Sequence, residues 1–139
     1  MNYLLPAQTL LDMCGQLPNA AKTWAQTIDT SALRVSVISI AEAKFALDGA
    51  GTVISRARLQ TNLLSLLSDI EADSEEPLNF TEPHANVWRT LLNDPSLNGL
   101  GATDRQVYAT AMHEGLTVVE ERHPHTAALQ ALGLSIHIL

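Results

Sequence analysis

Short apolar segments alternate with helix-start signals along almost the whole chain, and this alternation limits the fold more than any other feature of the sequence. Tyr3-Leu4-Leu5 runs into Pro6, which suits the first turn of a helix because its missing N–H would be unpaired there. Arg34–Ile38 has the β-branched character of a strand, and Ser39-Ile40-Ala41-Glu42 reads as a capping box opening the next helix. Leu78-Asn79-Phe80 reads as a short strand before a helix begun by Thr81. Thr103-Asp104-Arg105-Gln106 reads as a second capping box, closed by Gly115 before the strand Leu116–Val119. A short helix from Pro124 and a strand over Leu134–Leu139 complete the pattern. Strand–helix alternation predicts one α/β domain over residues 1–139: a sandwich of helices on both faces of a mainly parallel sheet.

Chemistry in such sheets sits at the carboxyl ends of the strands. Pro6, Glu42, Asp104 and the stretch Glu120-Glu121-Arg122 are expected there. Glu42 and Asp104 also have a plain explanation, since an acid in a first helical turn is favoured by the helix dipole. His123-Pro124-His125 has the look of a metal pair, but two histidines alone are weak support and a surface helix start explains them. His84, His113 and His137 read as surface or edge residues, and Glu71–Glu76 as a solvated acidic loop. Trp24 and Trp88 read as core or interface anchors.

The net charge of −7 with only eight Lys and Arg works against a polyanionic partner unless basic side chains gather locally. A single cysteine, Cys14, forms no internal disulfide and fits a reducing cytoplasm; its apolar neighbours suggest a buried, inert thiol. No targeting signal is visible, and no apolar run approaches the roughly 18 residues of a membrane span. The expectation is a cytoplasmic protein with no membrane partner.

Four segments together resemble a PIN domain, most closely the small VapC-type toxins: Tyr3-Leu4-Leu5 with Leu10-Leu11-Asp12-Met13; Ser36 to Glu42; Ala102-Thr103-Asp104 with Ala109-Thr110-Ala111; and Gly115 to Val119. The resemblance implies a PIN-like three-layer α/β/α sandwich. It also implies a ribonuclease centre in which clustered carboxylates hold Mg²⁺ or Mn²⁺. Carried over residue by residue, Glu42 matches the family's second acid and Asp104 its third. Pro6 stands where the first acid belongs, and Arg122 falls near the fourth, with Glu120 and Glu121 close enough in sequence to swing in. Asp12, about two helical turns from Pro6, is too far to substitute. The site residues implied are therefore Glu42 and Asp104 as catalytic and metal-binding groups. Glu120 and Glu121 are further metal ligands, and Arg105 and Arg122 would meet nucleic acid. Loss of half the acids implies weak or absent metal binding. It favours a toxin–antitoxin type protein that acts by binding, to an antitoxin, to RNA or to a second copy of itself. The alternative is a working Mg²⁺-dependent endoribonuclease using Glu42, Asp104 and Glu120 or Glu121. A homodimer is expected because the Ile54–Ile70 stripe is wider than one sheet face requires.

Overall fold

A computed structural model describes all 139 residues. Four strands, β1 (Tyr3–Leu4), β2 (Leu33–Arg34), β3 (Thr117–Glu120) and β4 (Ile136–Ile138), form one sheet in the order β2-β1-β3-β4. Every pairing is parallel, with Leu4 opposite Arg34 on one side and Val118 on the other. Successive residues of a strand face opposite ways, and the core divides accordingly. Leu4 and Val118 pack with Leu91, Val107, Ala111 and Leu129. These come from α5 (Glu82–Leu92), α6 (Ala102–Glu114) and α7 (Thr126–Ala131). Leu5 and Val119 pack on the other side with Leu10, Ala43, Leu47, Leu63 and Ile70. Those residues belong to α1 (Ala7–Cys14), α3 (Val37–Asp48) and α4 (Val53–Asp73), beside which α2 (Ala20–Ala25) completes the layer. This is the expected PIN-like α/β sandwich.

Several local readings shift. The strand expected over Arg34–Ile38 stops early because Ser36, not Ser39, caps α3: its hydroxyl accepts the Ser39 N–H at 3.1 Å. Glu42 therefore sits in the second turn of α3 rather than at its cap. The strand expected at Leu78–Phe80 is reduced to one parallel bridge, Leu78 against Ser36, at the sheet edge. Helix α6 starts at Ala102 with Gly101 as its cap, so Asp104 rather than Gln106 is the third helical residue. A side chain at Gly101 would place its Cβ 3.1 Å from Asp104 Oδ2, and glycine leaves that carboxylate room. The acidic run is only partly a solvated loop. Helix α4 continues through Asp73, and Glu75 pairs with Arg34 at 2.9 Å.

The α4 stripe divides between inside and outside. Leu63 and Ile70 are buried, whereas Val53, Ile54 and Leu64 are exposed, as is Phe45 on α3. No helix is long and apolar enough to cross a membrane. Cys14 is buried, and burial pushes its thiol up to about 11, so it is inert near neutral pH. Trp24 packs edge-on against Tyr3 at 5.0 Å, and Trp88 donates from Nε1 to the Ala102 carbonyl at 3.0 Å, so both anchor packing.

Candidate functional site

The chain leaves β1 for β2 on one side and later returns to β3 on the other, which makes the β1/β3 boundary a topological switch point. A cleft of about 510 Å³ opens at the carboxyl ends of these two strands. Pro6, Glu42, Asp104 and Glu120 line it, together with Tyr108, His123 and His125. Four separate segments thus deliver their side chains to one place: the β1–α1 turn, the second turn of α3, the first two turns of α6 and the end of β3. Three carboxylates meet there, although they come from positions 42, 104 and 120 of the chain.

Their environments differ. Burial pushes the Glu42 carboxyl above its ordinary range, and the negative charge of Asp104 pushes it further. Glu120 is also pushed up, chiefly by burial, with Asp104 adding to the effect and hydrogen bonds from His123 and Tyr108 opposing it. The Tyr108 hydroxyl donates to both Glu120 oxygens, at 2.9 and 3.0 Å. Its own ionisation is strongly suppressed, first by burial and then by the Glu120 charge. His123 Nδ1 lies 3.1 Å from the His125 backbone N–H, which can only donate. The ring proton of neutral His123 therefore rests on Nε2 and points to Glu120 Oε2 at 2.8 Å. Glu120 is held by a phenol and an imidazole, and neither of its oxygens is left idle.

Glu42 and Asp104 have no such partners. The carboxylates with no protein partner are thus two, the third is already hydrogen-bonded, and Pro6 adds no side-chain oxygen. Mg²⁺ held by one or two carboxylates keeps most of its waters and leans on substrate phosphates for the rest. The set suits a loosely held, hydrated ion rather than a tightly bound one.

Other expected residues stand elsewhere. Glu121 and Arg122 are exposed and do not line the cleft. Arg105 turns its guanidinium into the loop before α6, donating to the Leu97 and Leu100 carbonyls at 2.8 Å each. Asp12 accepts from Gln8 one turn earlier and also lies outside the cleft. The sequence does not mark Tyr108 as a site residue, and it marks His123 only as half of a weak metal pair with His125, not as a partner of Glu120. Tyr108 looks like a core residue because most of it is one, and only the approach of β3 reveals its hydroxyl's partner. His123 had a signal, the three-residue spacing to Glu120, but nothing in sequence fixes the turn between them. The turn that follows His123 is closed by Thr126, whose hydroxyl accepts the His123 N–H at 2.9 Å.

No family model matches the chain, and no curated protein matches it in sequence. Solved structures do match it in shape. FitAcB from Neisseria gonorrhoeae aligns at a TM-score of 0.77 with 21% identity, over 96% of this chain and 95% of that one. VapBC2 from Rickettsia felis, bound to a DNA fragment from its promoter, aligns at 0.77 with 16% identity, over 100% and 99%. VapBC-5 from Mycobacterium tuberculosis, a member of the VapBC family of toxin–antitoxin systems, aligns at 0.67 with 20% identity, over 99% and 97%. At such identities the likeness establishes the fold.

Proposed function

We propose that this chain is a VapC-like protein of the toxin–antitoxin type whose metal centre is incomplete, and that it acts by binding rather than by efficient RNA cleavage. One observation carries the reading. Of the acids gathered in the cleft, Glu120 is already bonded to Tyr108 and His123, which compete with an ion for it, and Pro6 supplies no side-chain oxygen at all. Glu42 and Asp104 remain as the ligands of a weakly held Mg²⁺ or Mn²⁺. The full-length likeness to FitAcB and VapBC complexes supports an antitoxin as partner. The exposed apolar side chains Phe45, Val53 and Ile54 offer surface for that partner or for a second copy of the chain. Arg122, exposed beside the cleft-lining His123, is the cation best placed to meet RNA phosphate. A reduced cysteine fits a cytoplasmic protein.

The alternative is an active Mg²⁺-dependent endoribonuclease using Glu42, Asp104 and Glu120. It is favoured by the closeness of Asp104 to Glu120, which raises the Glu120 pKa. It requires Glu120 to offer its remaining lone pairs to the ion while Tyr108 and His123 stay bonded to it. Glu121, exposed and outside the cleft lining, is the weaker choice.

Purified protein incubated with structured RNAs in Mg²⁺, Mn²⁺ or EDTA separates the two. The expected outcome is no metal-dependent cleavage above that of a Glu42→Gln control. Restoring an acid with Pro6→Asp should tighten Mn²⁺ binding by at least about tenfold, as gain of a ligand must exceed the effect of an outer-sphere group. Rapid cleavage by the unaltered chain that Glu42→Gln abolishes would overturn the proposal in favour of the alternative. Light scattering of the purified chain tests the dimer.

A further inference from the structure

A second cluster of ligand-type side chains lies outside the cleft. His84 on α5 and the neighbours His113 and Glu114 on α6 present atoms that all fall within 4.8 Å of one another. Ten residues separate Glu114 from Asp104, about 15 Å along a helix axis, so the cluster is distinct from the carboxylate cleft. We infer that His84, His113 and Glu114 form a transition-metal site, of the kind that takes Zn²⁺, that clamps the end of α6 to α5.

Two imidazoles and one carboxylate are a donor set for Zn²⁺, Ni²⁺ or Co²⁺ and a poor one for Mg²⁺. Zinc bonds of about 2.0–2.2 Å put tetrahedral ligand atoms roughly 3.4 Å apart, which small rotations of the exposed His113 and Glu114 reach. His84 is the fixed member: it is buried, while the other two face solvent and give the ion a path in. Its outer support is present. His84 Nδ1 now accepts the Thr81 backbone N–H at 3.0 Å, and Nε2 carries the proton toward Glu114 Oε1 at 2.8 Å. An ion at Nε2 needs that proton moved to Nδ1, which then donates to Thr81 Oγ1, also at 3.0 Å, and gives up the bond from the Thr81 N–H, a loss the metal bonds must outweigh. The position itself calls for a cation. Glu114 is the last residue of α6, where the negative end of the helix dipole adds to its carboxylate.

The inference stands apart from the reading of the cleft, and the test keeps them apart. ZnSO₄ is titrated into the full chain, with melting temperature and competition against a chelating dye as readouts, and Co²⁺ absorption reports tetrahedral nitrogen ligation. One zinc per chain should raise the melting temperature, reversibly with EDTA, and Mg²⁺ should not. His113→Ala should melt like the parent without metal and lose at least tenfold in zinc affinity; Glu114→Gln should weaken zinc as well. Asp104→Asn should leave zinc binding at this site intact. Absence of any zinc-dependent shift, or an unchanged affinity in His113→Ala, overturns the assignment.

Discussion

Two carboxylate–imidazole pairs in this molecule have the same contact distance and opposite burial. Glu120 and His123 meet at 2.8 Å with the carboxylate deep, its side chain 12% exposed, and the imidazole at 25%. His84 and Glu114 also meet at 2.8 Å, but there the imidazole is 3% exposed and the carboxylate 34%. Burying a carboxylate is costly unless its lone pairs are met, so Glu120 carries Tyr108 as an additional donor. That satisfaction makes it a poorer ligand for an ion than a free carboxylate. A neutral imidazole is cheap to bury once each nitrogen has a partner, and the exposed carboxylate beside it keeps an oxygen free. The first pair is closed and the second open, although sequence alone would rank the first as the functional one.

The difference is sharpest in mutants of the buried partners. His84→Ala should cost about 3 kcal/mol, because it opens a cavity between α5 and α6 and also removes the acceptor of the Thr81 N–H. Urea unfolding measures it, and a loss below about 1 kcal/mol would mean the ring is not a packing element. Tyr108→Phe should cost about 2 kcal/mol, since the ring stays while both Glu120 oxygens lose a donor in a buried setting. The same variant frees Glu120, so Mn²⁺ should bind it more tightly than the parent. If Tyr108→Phe neither destabilises the fold nor improves Mn²⁺ binding, the Glu120 pair is not closed in the sense argued here.

The cleft carboxylates also give the fold a pH dependence. Folding raises the Glu42 and Glu120 pKa values above the ordinary 4.5. The folded chain therefore holds these protons more tightly than the unfolded chain. Their contribution is fully present below 4.5 and is lost as pH rises through the folded values. Asp29 and Asp94, lowered by bonds from Ser31 and Ser96, act in the opposite sense, but only as pH falls below 3.8. From pH 7 to about 5, then, the parent should gain stability relative to a Glu42→Gln, Glu120→Gln double variant. Parallel melting curves across that interval would remove the claim.

Legibility of the chain followed the range of the interactions. Alternating strands and helices depend on local pattern, and the sheet, its parallel sense and the meeting of Glu42 with Asp104 all follow from that pattern. The sequence pattern places the start of α3 three residues late because both Ser36 and Ser39 are good caps, and only the Val35–Leu78–Val37 rung at the sheet edge selects Ser36. Arg105 looked like a phosphate binder because nothing in sequence reveals that the Leu97 and Leu100 carbonyls turn toward it. His84 looked like a surface residue, since a histidine two residues into a helix has no periodic signature of burial. Its place is fixed by α6 packing across it, which brings the His113 ring to 5.1 Å. Each miss was decided by a contact from outside the local sequence pattern.

The smallest expected effect is the most discriminating one for the open pair. Glu114→Ala removes an exposed charge from the end of α6 and breaks a hydrogen bond whose other member is buried. As a hydrogen bond from a neutral imidazole to an exposed carboxylate that water can replace, the contact is worth about 0.5–1.5 kcal/mol, and removing a negative charge from a helix C-terminus returns about 0.3–1 kcal/mol. The two nearly cancel, so without metal the variant should unfold within about 0.5 kcal/mol of the parent. A loss above about 2 kcal/mol would mean that Glu114, like Glu120, is a committed partner of its imidazole. The contrast between a closed and an open pair would then vanish, because His84 Nε2 would have no acceptor to exchange for an ion.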